Sequence, residues 1–275
     1  VRAIALHPDV LLVTSAVLQV NCVIVRGGIE QRERAARGDA AAGETFVIDS
    51  PVLPDELDAL PALLEQAQFP SPSGLLVTHG DWDHLLGRLA FPAAALGCAE
   101  ATAERLRARP GEAQRELRAF DEELMIERPT PLTLGSVQAL AVPGRCDVGQ
   151  RQLELHPAAG HTADGTAILA GWAGVIVAGD YLSPVELPTL GSGGEVGAYG
   201  ETLERLRGLL GRADYVVPGH GPVLDVARAI ELLEEDLAYL RALSELGDEA
   251  KLPAGRRGAE QRRRHAENVA ALKSK

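Results

Sequence analysis

Residues Thr78 to His84 read THGDWDH, directly after the short apolar run Gly74 to Thr78 (GLLVT). In an extended segment alternate side chains face the same way, so His79, Asp81 and Asp83 converge and His84 turns to a second position. Charged side chains this dense repel one another unless positive charge sits among them. A cation supplies that charge. The chain must therefore fold so that a buried strand opens into a loop built around a metal.

Three later segments add to this. Ala159-Gly160-His161-Thr162 follows a strand expected to end at His156, Ala178-Gly179-Asp180 follows the apolar run Gly174 to Val177, and Pro218-Gly219-His220-Gly221 follows an expected strand, Tyr215 to Val217. Each sets one ligand-type residue beside a glycine that permits a tight turn or close backbone approach. Singly they are weak signals, but four such segments in one chain are strong.

Hydrophobic patterning predicts strands at Val10–Val13, Val17–Val25 and Thr45–Asp49, with Arg26–Glu44 as a solvated hairpin tip between the last two. A helix is expected over Asp55–Gln66, from Pro54 and Asp55 at its start and the stripe Leu57, Leu60, Leu63 and Leu64. With the strand Gly74–Thr78 it makes a β-α-β unit. Thr102–Ile126 reads as helical, broken at Pro110-Gly111. Further strands are expected at Val137–Val142, Gln152–His156, Thr166–Ala170 and Val175–Ala178, and helices at Glu201–Leu210 and Val226–Leu246. In the Arg-rich stretch Arg256–His265, the run Arg256–Arg264 reads as a solvated helix face, with a grip on an anionic substrate or a neighbouring subunit as the alternative. The expectation is one domain over residues 1–275, two strand groups with outer helices, in which 226–275 is a C-terminal helical extension.

Lys plus Arg number 27 and Asp plus Glu 39, a net charge of −12, which argues against nucleic acid as a partner. No apolar run reaches the roughly 18 residues of a membrane span, and no signal-peptide pattern opens the chain, so a cytoplasmic protein with no membrane partner is expected. Cys22, Cys98 and Cys146 are too scattered for a disulfide framework or zinc ribbon, which leaves a nitrogen and oxygen metal site. A homodimer is compatible with the sequence.

In their order, THGDWDH, GHT, GD and PGHG resemble the metallo-β-lactamase superfamily, whose usual signature is THxHxDH, GHT, an Asp after a strand and a late GH. The resemblance covers roughly residues 10 to 225, including the NCVIV and FVIDS strands. It implies an α+β fold, an αββα four-layer sandwich of two mixed sheets flanked by helices, with a metal site at one edge. It also implies two metal positions: His79, residue 81 and His161 at one, Asp83, His84 and His220 at the other, and Asp180 bridging them.

The departure is Asp81, where the family has His. Three outcomes are open: Asp81 acts as an oxygen ligand, falls short and leaves one metal, or favours manganese or iron over zinc. Two divalent ions, zinc first, are expected. The added negative charge is expected to weaken the Lewis acidity of the nearer metal and to raise the pH optimum relative to an Asp81→His variant.

The resemblance implies a metal-dependent hydrolase that uses a metal-bound hydroxide on a small-molecule ester, thioester or lactone, with Asp83 and Asp180 catalytic. The alternatives are a non-haem iron oxidoreductase of the persulfide dioxygenase kind, and a catalytically degenerate ligand-binding member. Trp82 and Tyr181 are the expected substrate contacts, each weighed against packing, Trp82 under the metal loop and Tyr181 as a packed aromatic. Thr162 is expected to support a ligand, His156 to be buried near the site, and His7 and His265 to lie on the surface without partners.

Overall fold

The computed structural model describes residues 2–27 and 43–273. Most of the hairpin tip expected over 26–44 lies outside the described residues.

The first sheet has seven strands in chain order: β1 (Arg2–His7), β2 (Val10–Thr14), β3 (Asn21–Arg26), β4 (Thr45–Ile48), β5 (Gly74–Leu76), β6 (Ala95–Ala99) and β7 (Val137–Leu140). Its first half is antiparallel, and β4 to β7 run parallel. The second sheet has six strands: β8 (Gly144–Val148), β9 (Arg151–Pro157), β10 (Thr166–Ala170), β11 (Val175–Gly179), β12 (Tyr215–Pro218) and β13 (Leu224–Asp225). Within it only the pair β11–β12 is parallel.

The strands alternate strictly, and that alternation builds the layers. Val10, Leu12, Val23, Val25 and Ile48 face the second sheet, where Leu153, Leu155, Ile168, Val175 and Val177 meet them in the central core. The intervening Leu11, Val13, Cys22, Ile24 and Val47 face outward. They are covered by α1 (Pro54–Gln66) through Leu57, Leu60 and Leu64, and by α4 (Glu112–Leu124) through Leu117. Two shorter helices, α2 (Gly87–Ala90) and α3 (Glu100–Ala108), complete that side. On the far side Leu169, Ile176 and Val216 pack under α5 (Val196–Leu210), α6 (Val226–Leu246) and α7 (Ala259–Lys273). The result is the expected αββα sandwich. Among the described residues no helix is long and apolar enough to cross a membrane.

Several elements differ from expectation for local reasons. β3 begins at Asn21, not Val17, because Leu18 and Gln19 take left-handed backbone angles (φ 54 and 52) and break the run. β5 ends at Leu76, two residues before the expected end, which frees Thr78 and His79 for the loop. β1, β6, β8 and β13 lie outside the expected strands. The buried strand Ala95–Ala99 (ALGCA) carries no β-branched residue to announce it.

Two anchors hold the loops at one edge of the sandwich. The buried Glu56 carboxylate accepts the Leu53 N–H at the head of α1 (3.1 Å), the Ser15 hydroxyl (2.5 Å) and the Ala16 N–H (2.7 Å), and so pins the loop that carries Leu18. The C-terminal segment pins residues 183–190. Asn268 donates to Pro188 O (2.7 Å) and accepts Leu190 N–H (2.9 Å), and Gln261 donates to Val185 O (2.7 Å).

Arg256 corrects the expectation of a solvated helix face. It lies before α7, is 2% exposed, pairs with buried Asp236 at 2.6 Å and donates to Ser183 O and Glu186 O. Replacing Arg256 by Met leaves Asp236 buried without its cation and is expected to cost about 3 kcal/mol. That is the low end for a broken buried pair, because burial already pushes the Asp236 carboxyl up to about 7 and lets it accept a proton. A urea midpoint equal to that of the wild type would contradict this.

Candidate metal centre

The loops after β5, β9, β11 and β12 meet at one edge, where backbone bonds tie the two sheets together. Thr166 N–H donates to Thr78 O (2.7 Å), and Asn21 N–H donates to Gly219 O (2.8 Å). The Asn21 side-chain amide donates to Pro218 O (2.9 Å) and Gly221 O (2.7 Å). Gly219 has to be glycine, because a Cβ there would overlap Asp180 Oδ1.

This edge gathers all seven side chains expected as ligands. Ligand-type atoms lie within 4.8 Å of one another in four groups: His79, Asp81 and His161; Asp83, His84 and His220; His79, His84 and Asp180; and Asp180, Glu186 and His220. The first two match the two triads expected from the sequence. Asp180 stands between them, with Oδ1 3.3 Å from His84 Nε2, and Oδ2 3.3 Å from His161 Nε2, 3.4 Å from His220 Nε2 and 3.7 Å from His79 Nε2.

Each histidine is oriented from behind. Nδ1 of His161 faces Thr189 O (2.8 Å), and Nδ1 of His220 faces Leu18 O (2.8 Å). A carbonyl can only accept, so Nδ1 carries a proton, and in the neutral ring that ligates a metal Nε2 is the lone pair pointing inward. Nδ1 of His79 lies 3.0 Å from the Thr78 hydroxyl, which itself donates to Asp49 Oδ2 (2.9 Å) and so accepts from the ring. Nδ1 of His84 lies 3.0 Å from the same Asp49 oxygen.

The inward atoms Nε2 of His79, His84 and His161 and Oδ1 of Asp180 are buried without a hydrogen-bond partner. Lone pairs and a carboxylate orphaned toward one point are what a divalent cation satisfies, so the donor set fits a metal.

The electrostatics agree. Burial disfavours a charge on His161 and His220, yet the neighbouring carboxylates, Asp180 foremost, raise them to about 9 and about 10. Burial also works against charge on His84, but Asp49, Asp180 and Asp83 hold it well above the usual histidine range. Asp180 is held well below the usual carboxylate range despite burial, by His220, His84, His79 and His161. Without a cation, the acids draw protons onto His84, His161 and His220.

Asp81, Asp83, His161, Asp180 and His220 line a cleft of about 580 Å³, with His79 and His84 buried beneath. Trp82 also lines it and packs on Phe120 of α4, ring centroids 4.7 Å apart, so it both walls the cleft and supports the loop. Tyr181 does not line it and corrects the expectation of a substrate contact. It is 2% exposed, and its hydroxyl donates to Ala158 O (2.7 Å) and accepts His161 N–H (2.9 Å), so it holds the His161 backbone.

Thr162 Oγ1 is buried without a hydrogen bond. His156 sits on β9 beside Glu154 at 3.5 Å, away from the centre. His7 and His265 have partners after all: Asp9 N–H for the first (3.1 Å) and the Tyr239 hydroxyl for the second (3.0 Å).

Sequence reasoning missed four residues. Asp49 ends the FVID strand and braces Thr78 and His84. Arg105 and Asp164 hold Asp81 and Gly80 (below). Glu186 brings a further carboxylate to the His220 side, where burial pushes it up. Only Asp49 left a trace, as an acid closing an apolar strand. Replacing Asp49 by Asn removes the negative partner of His84 and is expected to weaken the binding of an added divalent cation roughly 10- to 100-fold, on the order seen for outer partners of metal-bound histidines. Competition against a chromophoric chelator measures this, and an unchanged affinity would contradict it.

A sequence profile described as the metallo-beta-lactamase superfamily matches residues 40–220. No curated protein matches the chain. Among solved structures, a metallo-beta-lactamase family protein from Thermus thermophilus is 22% identical with a TM-score of 0.65, over 98% of this chain and 94% of that one. A stereoselective inverting sec-alkylsulfatase from Pseudomonas sp. is 14% identical with a TM-score of 0.69, and the match takes 98% of this chain but 49% of that enzyme. A metallo-beta-lactamase from Pontibacter korlensis is 18% identical with a TM-score of 0.54, over 85% of this chain and 98% of that one. At these identities the likeness carries the fold alone.

Proposed function

Because the chain belongs to the metallo-beta-lactamase superfamily, we propose that it is a metal-dependent hydrolase of a small-molecule ester, thioester or lactone. The observation that carries this is the set of inward, hydrogen-bond-free donor atoms of His79, His84, His161 and Asp180 at the floor of an open cleft. His79, Asp81 and His161 would hold one divalent cation and Asp83, His84 and His220 the other, with Asp180 between the two triads. Zinc suits the histidines, and the carboxylate-rich set also admits manganese or iron.

Bound cations supply Lewis acidity toward a carbonyl oxygen and make water acidic enough to act as a nucleophile near neutral pH. The chain's own groups do the rest. Asp83, its side chain 12% exposed and 3.5 Å from His220 Nε2, is placed to orient a water and hold its proton at Oδ2. Trp82 and Phe120 shelter the apolar part of a substrate. Asp180, ringed by four imidazoles, keeps both triads on one centre.

The test is elemental analysis of reconstituted protein with a hydrolysis panel of esters, thioesters, lactones and phosphodiesters. Two metals per chain and turnover of an acyl substrate are expected. One metal in both wild type and Asp81→Ala overturns the dinuclear reading. Metal retention with no turnover on any arm overturns the hydrolase. The triad of His79, Asp81 and His161, two imidazoles and a carboxylate, favours one second reading, a mononuclear iron oxygenase, which oxygen uptake by the iron-loaded protein would reveal.

A further inference from the structure

We propose that Arg105 is a positioning residue for the metal centre: it holds Asp81 by one carboxylate oxygen, keeps the other aimed at His79 and His161, and cancels the charge that an aspartate adds there. The inference rests on the metal-centre reading above.

The geometry is a closed ring. Asp81 Oδ1 accepts from Arg105 Nη2 at 2.6 Å, while Oδ2 lies 3.5 Å from both His79 Nε2 and His161 Nε2. The second arm, Arg105 Nη1, donates to Asp164 Oδ1 at 3.0 Å. Asp164 Oδ2 accepts the Gly80 N–H at 2.9 Å, the residue before Asp81. The Thr102 hydroxyl, one turn earlier on α3, donates to Asp164 O at 3.0 Å. The buried Asp164 therefore fixes both the metal loop and the arginine that grips it.

Charge and shape both ask for this residue. Aspartate in place of a neutral imidazole adds one negative charge, and Arg105 adds one positive charge against the oxygen turned away from the histidines. The pH-optimum shift expected from Asp81 alone is thereby offset. A planar fork can bind two carboxylates on two arms at once, which an ammonium cannot do with the same direction. Arg105 also lines the cleft, so it could be taken for an arm that grips an anionic substrate. Its side chain, however, is 13% exposed, and both terminal nitrogens already hold protein carboxylates.

The test is a double-variant cycle on the full chain, with zinc as the probe. Stoichiometry comes from elemental analysis and affinity from chelator competition, for wild type, R105Q, R105K, D81H and D81H/R105Q. R105Q is expected to weaken one of the two zinc ions roughly 10- to 100-fold and leave the other unchanged. R105K, which keeps the charge and loses the fork, should fall between. In the D81H background the same R105Q change should cost clearly less, only what the lost Asp164 pairing removes, because a neutral ligand needs no countercharge. An equal penalty in both backgrounds makes Arg105 a general strut and overturns the proposal. So does an R105Q protein with both affinities intact and only a raised KM, the signature of a substrate arm. If R105Q does not fold, R105K against D81H/R105Q carries the comparison. A wild type that binds no zinc, manganese or iron overturns the metal-centre reading and this proposal with it, whereas two zinc ions bound equally by wild type and R105Q overturn this proposal alone.

Discussion

Replacing Asp180 by Asn is expected to lower kcat/KM by at least about 10³-fold and to leave fewer than two metals per chain. On the proposed reading Asp180 would serve both metal positions, and the charge stabilisation this permits would be worth several kcal/mol, each ~1.4 kcal/mol being a decade in rate. Among the described residues Asp180 is the one carboxylate close to four imidazoles, with each Nε2 between 3.3 and 3.7 Å from one of its oxygens. Asparagine keeps the shape that the tight approach of Gly219 demands, so the sandwich should survive. What it loses is the charge that both triads share. A D180N protein that melts like the wild type, holds fewer metals and turns over at a trace rate fits this account. Two metals at wild-type affinity with normal turnover would remove Asp180 from the centre.

The inward-facing donors of this site were legible, and their supports were not, for a physical reason. His79, Asp81, Asp83 and His84 lie within one short loop, and His161, Asp180 and His220 each sit beside a glycine at a strand end. That is local pattern, and local pattern can be read. The group behind His220 is the carbonyl of Leu18, 202 residues away in the chain, and Asp164 reaches the Gly80 N–H across 84. A carbonyl oxygen has no residue signature, and an Arg or Asp on a helix or loop looks like solvated surface until the topology brings it inward.

The same holds for the fold. β2, β3, β10 and β11 alternate apolar residues between two cores and announce themselves. Ala95–Ala99 has small side chains because it lies buried among neighbours, so it reads as nothing in particular. The stretch Val17–Val20 reads as strand by composition but is bent by left-handed Leu18 and Gln19, and that bend delivers the carbonyl that orients His220.

The metal-free protein is expected to lose stability as pH rises from about 6.5 to 10, and the metal-loaded protein is not. Folded His161 titrates at about 9 and His220 at about 10, both raised by Asp180 and neighbouring acids against the effect of burial. Unfolded histidine titrates near ~6.5. A folded value above the unfolded one means that the protonated imidazoles stabilise the fold fully below about 6.5, and that this contribution disappears as pH passes through about 9 and then about 10. The two groups together are worth on the order of several kcal/mol, enough to lower Tm by ten degrees or so in a chain of this size. A bound cation takes the place of those protons, because imidazole must be deprotonated to ligate. Loading should therefore release protons near neutral pH, and the Tm gap between loaded and chelator-treated protein should widen with pH. The H161Q/H220Q variant, which lacks these two protons and keeps the one on His84, should make the metal-free curve shallower. A metal-free Tm that stays level or rises between about pH 7 and 10 would mean that the carboxylates at this edge are not held together by protonated histidines. The charge argument for a cation would then fall with it.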